Sequence, residues 1–168
     1  MSFAERLADV IEAIVDVFGR LAALVGVALV LIVAGNVFAR YFFRTGTIWL
    51  QELEWHLIAP IALIGMSYTL LKGEQVRVDF LYERMPLALR QVIEIATGIL
   101  TIIFAVIVVK LSLPFVEQAW RIGEGSPNPG GMPHRGVLKA LIPFGFVLLA
   151  LQGLAHTMRH GVALLRRS

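Results

Sequence analysis

Three side chains that could bind a metal ion stand close together in the first half of the sequence: Glu52, Glu54 and His56. Carboxylate and imidazole groups are common ligands of divalent transition metals. On a helix, however, residues two positions apart point in different directions, so Glu52 and Glu54 cannot face the same ion. The spacing therefore predicts no metal site in this stretch.

The four histidines raise the alternative of a haem-binding four-helix bundle, in which facing pairs of histidines hold the iron. We place only His56 and His156 within helices, whereas His134 and His160 fall outside the predicted spans. We also expect His56 and His156 to lie toward opposite sides of the membrane. These positions disfavour haem, so no cofactor is expected. A haem-binding membrane redox subunit is the alternative function.

Other catalytic arrangements find little support in the sequence. Ser67 and Ser112 have no neighbouring His or carboxylate to activate a nucleophile, and the absence of cysteine excludes disulfides and thiolate chemistry. The glycine-rich segment 123–136 lacks the Lys-Ser/Thr ending and the preceding strand of a phosphate-binding loop. The sequence therefore predicts no catalytic site and no enzyme.

The composition indicates a membrane protein. Of the 168 residues 58% are hydrophobic and only 16% are charged, and the mean hydropathy is +0.78. A soluble domain of this size could not bury so much apolar surface, so we expect the solvent to be lipid. The net charge of +3 does not indicate nucleic-acid binding, because the basic residues lie at the ends of apolar segments rather than along one polar face.

The hydrophobic pattern predicts an all-α integral membrane protein, with residues 1–168 forming a single four-helix domain. The expected spans are at about 21–43, 49–71, 92–113 and 138–158, since a helix needs about 20 apolar residues to cross the hydrocarbon layer. Residues 2–20 predict an N-terminal amphipathic helix at the membrane surface, and their mixed charge argues against a cleaved signal peptide.

The connections between the spans have their own patterns. A short interfacial helix, capped by Asp79 and followed by Pro86, is predicted between spans two and three. Segment 123–136 contains three prolines and five glycines, which predict an ordered but irregular loop outside the membrane.

The distribution of Lys and Arg predicts that both termini face the cytoplasm, because positive charge is concentrated on that side of a membrane protein. This orientation places nine basic residues inside and five outside. The five outside are Arg40, Arg44, Arg121, Arg135 and Lys139.

The predicted outer face collects polar and aromatic residues that could contact a partner or hold the outer connections. Arg40 follows Asn36 by one helical turn, so a tight turn would pair Arg40 with Glu52 or Glu54 as a clamp between the first two helices. Trp49 is of the type that anchors a helix at the lipid headgroups. The full set of candidate interface residues is Asn36, Arg40, Arg44, Trp49, Glu52, Glu54, Arg121, Glu124, Asn128, His134 and Arg135.

Several motifs occur in a characteristic order: Asn36-x-x-x-Arg40-Tyr41, Trp49-x-x-Glu52-Leu53, Gly65, Val76-Arg77-Val78-Asp79 and Pro86. Further along stand Ser126-Pro127-Asn128-Pro129-Gly130-Gly131-Met132-Pro133 and Lys139-Ala140-Leu141-Ile142-Pro143. This ordered set resembles the small membrane subunit of tripartite ATP-independent periplasmic (TRAP) transporters, the DctQ-like family. Gln75 departs from the pattern, because family members commonly have His there, and this puts a protonatable role at that position in doubt.

The resemblance implies a non-catalytic subunit in a bacterial or archaeal inner membrane. Its implied partners are the large TRAP membrane subunit (DctM-like), a periplasmic substrate-binding protein and membrane lipids. In that division of labour the large subunit carries organic anions with sodium, while the small subunit braces it and offers part of a docking face for the binding protein. A stand-alone transporter is disfavoured because the predicted spans contain few polar groups near the midplane.

Overall fold

Residues 3–74 and 85–165 are described in this computed structural model, and they form four long helices. These are α1 (Phe3–Phe43), α2 (Ile48–Lys72), α3 (Leu87–Arg121) and α4 (Arg135–Leu165). All four are long and apolar enough to cross a membrane, and each contains one of the predicted spans. The prediction of an all-α protein with four candidate membrane helices is confirmed.

Consecutive helices run in opposite directions, so the bundle has two distinct ends. We call the end with the α1–α2 connection and the α3–α4 loop the loop end, and the end with the start of α1 and the last turns of α4 the terminal end. Helix α4 packs against all three other helices, whereas α3 packs mainly against α4. Helix α4 is therefore the central element, and α3 lies at the edge of the bundle.

Glycines allow α3 and α4 to approach backbone to backbone. A Cβ atom at Gly98 would lie 3.1 Å from the carbonyl oxygen of Gly153, and one at Gly153 would lie 3.2 Å from the carbonyl oxygen of Gly98. Small residues at facing positions are the usual means by which membrane helices pack closely. This approach fixes the register of α3 against α4 near the terminal end.

The first half of α1 is continuous with the rest of that helix and packs inside the bundle. Ala8, Ile11 and Val15 are buried against Ala155 of α4, and Phe18 forms an edge-to-face contact with Phe144. Its position relative to a membrane surface stays a prediction. The interfacial helix predicted after span two lies outside the described residues apart from its last position, and α3 begins directly after Pro86.

Ion pairs join α1 to its neighbours at the terminal end. Arg159 of α4 donates to Asp9 and to Glu12, each across 2.7 Å, and Lys72 of α2 donates to Asp16 across 2.7 Å. The acidic side of the amphipathic segment is thus used in contacts within the chain.

Candidate functional site

The carboxylate of Glu52, near the start of α2, is the centre of a hydrogen-bond network at the loop end. Glu52 is only 2% exposed to solvent. The Ser126 hydroxyl donates to Oε1, the Asn128 amide donates to Oε1 across 3.0 Å, and the Met132 backbone N–H donates to Oε2 across 2.7 Å. Arg135 Nη2 lies 3.6 Å from Oε1 and offsets the charge. We call this set the Glu52 network.

The loop between α3 and α4 folds around that carboxylate by its own backbone bonds. Ser126 N donates to Met132 O across 3.0 Å, and Arg135 N donates to Glu124 O across 2.8 Å. A Cβ at Gly131 would collide with the Ser126 side chain and lie 2.8 Å from Glu52 Oε2, so this position requires glycine. The loop contains neither helix nor strand, which agrees with the irregular loop predicted from its prolines and glycines.

A second buried contact joins α1 to α2. Asn36, which is 4% exposed, donates its side-chain amide to Glu54 Oε1 across 2.7 Å. The prediction that Arg40 pairs with Glu52 or Glu54 is therefore wrong, because Asn36 supplies the donor between the first two helices. Arg40 is exposed and lines a pocket of about 390 Å³ together with Asn36 and Glu54. Arg40 Nε lies instead beside the connection after α1, 3.6 Å from the position of a Cβ atom built at Gly46.

The remaining predicted interface residues surround these two contacts. Glu124 pairs with Lys139, whose ammonium also lies 3.8 Å from the centre of the Phe115 ring. Trp49 and His134 line an apolar pocket of about 470 Å³ at the loop end. Arg44 and Arg121 are exposed there.

Two of the predicted residues also mark chain reversals. Arg44 and His134 have left-handed backbone conformations, with φ of 52° and 62°. Side-chain-bearing residues adopt this region rarely, so the surrounding contacts must hold both positions.

Ser126, the Met132 amide and Lys139 were not among the predicted candidates. Their stretches were recognised by resemblance, but periodicity does not show which loop groups turn toward Glu52.

A third cluster, at the terminal end, was missed by sequence reasoning. His156 Nε2 donates to Glu94 Oε2 across 2.8 Å, and His160 Nδ1 donates to Gln91 Oε1 across 2.7 Å. The prediction that only His56 and His156 lie within helices is wrong, because α4 continues to Leu165 and includes His160. The available sequence clue was the four-residue spacing of His156 and His160, which places both rings on one side of a helix.

The histidine positions do not suit the haem alternative. His156 and His160 come from the same helix one turn apart, with ring centres separated by 4.4 Å. His56 lies at the loop end, where its Nδ1 donates to the carbonyl oxygen of Glu52 across 2.6 Å. Among the described residues these rings do not form the facing pair that two axial ligands of one haem require.

The fold and these contacts define a helical membrane protein whose buried carboxylates hold its own segments together. A family model described as the DctQ component of tripartite ATP-independent periplasmic transporters matches residues 29–161. The match covers most of the chain, so the protein belongs to the DctQ family and is a component of a TRAP transporter. A search of curated proteins gives no match. The resemblance deduced from the ordered motifs is confirmed.

Proposed function

We propose that this chain is the non-catalytic small membrane subunit of a sodium-coupled TRAP transporter for organic anions. In this role it braces the large membrane subunit, and its loop end helps to dock the periplasmic substrate-binding protein. It lies in the inner membrane with both termini in the cytoplasm, as the distribution of basic residues favours.

The observation that carries the bracing role is that Glu52 is fully engaged in holding the loop of its own chain. A carrier needs polar groups near the midplane that are free to bind substrate or ion. Here the buried hydroxyls of Ser67 and Ser112 donate to carbonyl oxygens of their own helices, those of Ile64 and Val109. These contacts favour a fixed support over a moving transport element.

The apolar surface supports a role beside a larger membrane protein. Helix α3 packs mainly against α4, and its other side carries exposed Leu100, Ile103, Ile107 and Leu111. Lipid or another membrane helix must cover such a face. Helix α3 has one main neighbour among the described helices, so its exposed side leaves room for lipid and for another membrane helix.

The docking role is supported by exposed basic residues at the loop end. Arg44 and Arg121 project from positions next to the ordered connections, and the Glu52 network holds the α3–α4 loop between them in one shape. Rigid surfaces with exposed charge increase the rate of association with a complementary partner. Glu124 and Arg135 are less suited to direct docking because each has a partner within the chain.

The first experiment is a pull-down of the tagged chain from its native membrane in mild detergent, followed by mass spectrometry. We expect a much larger polytopic membrane protein to be recovered in stoichiometric amount. Recovery of the chain alone, or only with copies of itself, would contradict the bracing role.

Docking is tested separately with Arg121→Gln, using uptake into vesicles at limiting concentrations of the binding protein. We expect uptake to fall severalfold while the two membrane subunits remain assembled, because a charge at the rim of an interface mainly affects association. The matched control is Arg6→Gln, which removes an exposed arginine near the start of α1, at the terminal end of the bundle. Equal uptake by the two variants would exclude a docking role for Arg121.

A further inference from the structure

Three metal-ligand side chains converge at the terminal end, at a place that the transport role does not use. Glu94 of α3 and His156 and His160 of α4 each offer one ligand atom, and these atoms lie within 4.8 Å of one another. Glu94 is 5% exposed, and the His156 side chain is 10% exposed. The set is therefore a largely enclosed group with two nitrogen donors and one carboxylate.

The backbone positions these ligands. His156 and His160 are one turn apart on α4, so both rings lie on the side of α4 that faces Glu94. The close approach of Gly98 to Gly153 holds the two helices together about one turn away. The distance between the histidine pair and the carboxylate thus depends on packing rather than on flexible side chains.

Gln91 orients one of the histidine rings. Its Oε1 can only accept, so His160 Nδ1 carries the proton in their 2.7 Å hydrogen bond. In the neutral ring the lone pair is then on Nε2, which is the atom through which His160 would bind a metal. Metal-binding histidines commonly donate their second ring nitrogen to an oxygen acceptor in this way.

We propose that Glu94, His156 and His160 form a binding site for a divalent transition-metal ion of the Zn²⁺ type, which links α3 to α4. On binding, the ion takes the place of the proton on His156 Nε2. The metal-bound ring keeps one proton, on Nδ1, so a neutral ring transfers its Nε2 proton to Nδ1 through solvent, whereas an imidazolium ring releases that proton to solvent. The two atoms must separate from 2.8 Å to roughly 3.3 Å to accommodate Zn–N and Zn–O bonds of ordinary length. A water molecule completes the coordination, as in other zinc sites with three protein ligands.

Two arginines are close to the cluster in sequence, and both side chains have contacts elsewhere. Arg90, one turn before Glu94 on α3, donates Nε to the carbonyl oxygen of Met85 across 3.0 Å. Arg159 adjoins His160 in sequence, but its guanidinium is held by Asp9 and Glu12 of α1. The positive charge nearest along α4 is therefore compensated. This inference does not depend on the proposed transport role, and a metal-linked helix pair would serve the fold in any complex.

The test uses the full chain in detergent, purified without a polyhistidine tag and treated with a chelator before dialysis. Zn²⁺ is titrated by calorimetry, and Co²⁺ is added as a spectroscopic probe of nitrogen and oxygen coordination. We expect one Zn²⁺ per chain, a Co²⁺ absorption band that Zn²⁺ abolishes, and a higher melting temperature with metal. No saturable Zn²⁺ binding by the wild-type chain would overturn the proposal.

Variants locate the site. His160→Ala should weaken Zn²⁺ binding by at least tenfold while leaving the Glu94–His156 hydrogen bond in place, and Gln91→Ala should weaken it by about tenfold. His134→Asn is the control, because it removes a histidine at the loop end and Asn tolerates the left-handed conformation there. Unchanged affinity in His160→Ala, or an equal loss in His134→Asn, would show that the metal binds elsewhere.

Discussion

Glu52 at the loop end and Glu94 at the terminal end are both buried carboxylates near the start of a helix, yet their neighbours differ. Glu52 accepts from a serine hydroxyl, an asparagine amide and a backbone N–H, all contributed by one loop. Glu94 instead meets an imidazole from a neighbouring helix, with a second imidazole one turn away. A glutamate thus holds a loop in place at one end of the bundle, and another glutamate pairs two helices at the other end.

Burial alone therefore does not assign a role to an acidic residue in a membrane protein. Amide and hydroxyl donors keep their protons, so the hydrogen bonds of the Glu52 network are either formed or lost, and no metal ion replaces a proton there. A protonated imidazole nitrogen can exchange its proton for a metal ion, so the Glu94 cluster can change its chemistry while its geometry is kept.

Replacing the loop-end carboxylate should have the largest effect on stability. Glu52→Ala leaves three donors of the loop and the partly buried Arg135 without their common acceptor, and the loss of several hydrogen bonds to one charged group is costly. We expect the melting temperature of the purified chain to fall by roughly 5 to 10 °C, with new proteolytic cleavage in the α3–α4 loop. Glu117→Ala is the control, because Glu117 is exposed on α3. A melting temperature equal to that of the control would refute the structural role of the network.

Separating α3 from α4 should damage the terminal end selectively. In Gly98→Val the added side chain meets Thr157 and the Gly153 backbone, and such overpacking costs about 1 to 3 kcal/mol. We expect the stability loss to be accompanied by at least tenfold weaker Zn²⁺ binding, while the α3–α4 loop keeps its resistance to protease. Gly35→Val is the matched control, since nothing lies within 4 Å of a Cβ there. Retention of full metal affinity by Gly98→Val would mean that helix register does not position the ligands.

The contact between α1 and α2 should depend on Asn36 and not on Arg40. Asn36→Ala removes the donor to Glu54 inside the bundle, which we expect to cost about 1 to 3 kcal/mol of unfolding free energy. Arg40→Ala, at the next turn of the same helix, serves as the control and should be nearly neutral because Arg40 is exposed. Chemical unfolding of the two variants in detergent measures both values, and a reversed ranking would restore the arginine clamp.

The ion pairs of α1 at the terminal end should contribute least. The Arg159 side chain is 42% exposed, and exposed ion pairs contribute at most about 1 kcal/mol. Arg159→Gln is therefore expected to lower stability by less than about 1 kcal/mol, and the difference should shrink at high salt because screening weakens the wild-type pairs. Thermal unfolding at low and high salt measures this, and a loss equal to that of Glu52→Ala would remove the distinction between the two ends.

The long apolar runs were sufficient to predict the four helices, because lipid leaves few alternatives to a helix for such segments. The ordered motifs were sufficient for the family. Glu52, Asn128 and Arg135 were also identified as candidates, but their contact with one another was not predicted. A loop rich in proline and glycine has no periodicity, so the sequence does not indicate that Ser126, Asn128 and Met132 turn back toward α2.

The terminal cluster was missed for a different reason. The predicted fourth span ended at residue 158, where hydropathy falls, and this excluded His160 from the helix that carries His156. The meeting of Glu94 with these rings also depends on the rotation and register of α3 against α4. Those are set by the approach of Gly98 to Gly153, and a single sequence does not show which glycines face each other.

The packing of α1 against α4 has a consequence for biosynthesis. Asp9 and Arg159 are separated by 150 residues, and Ala8 is buried against Ala155 at the same end. Asp16 of the first helix can pair with Lys72 as soon as α2 is made, but Asp9 and Glu12 obtain their arginine partner only when the last turns of the final helix have left the ribosome. A nascent chain that stops before residue 159 therefore lacks the arginine that pairs with Asp9 and Glu12.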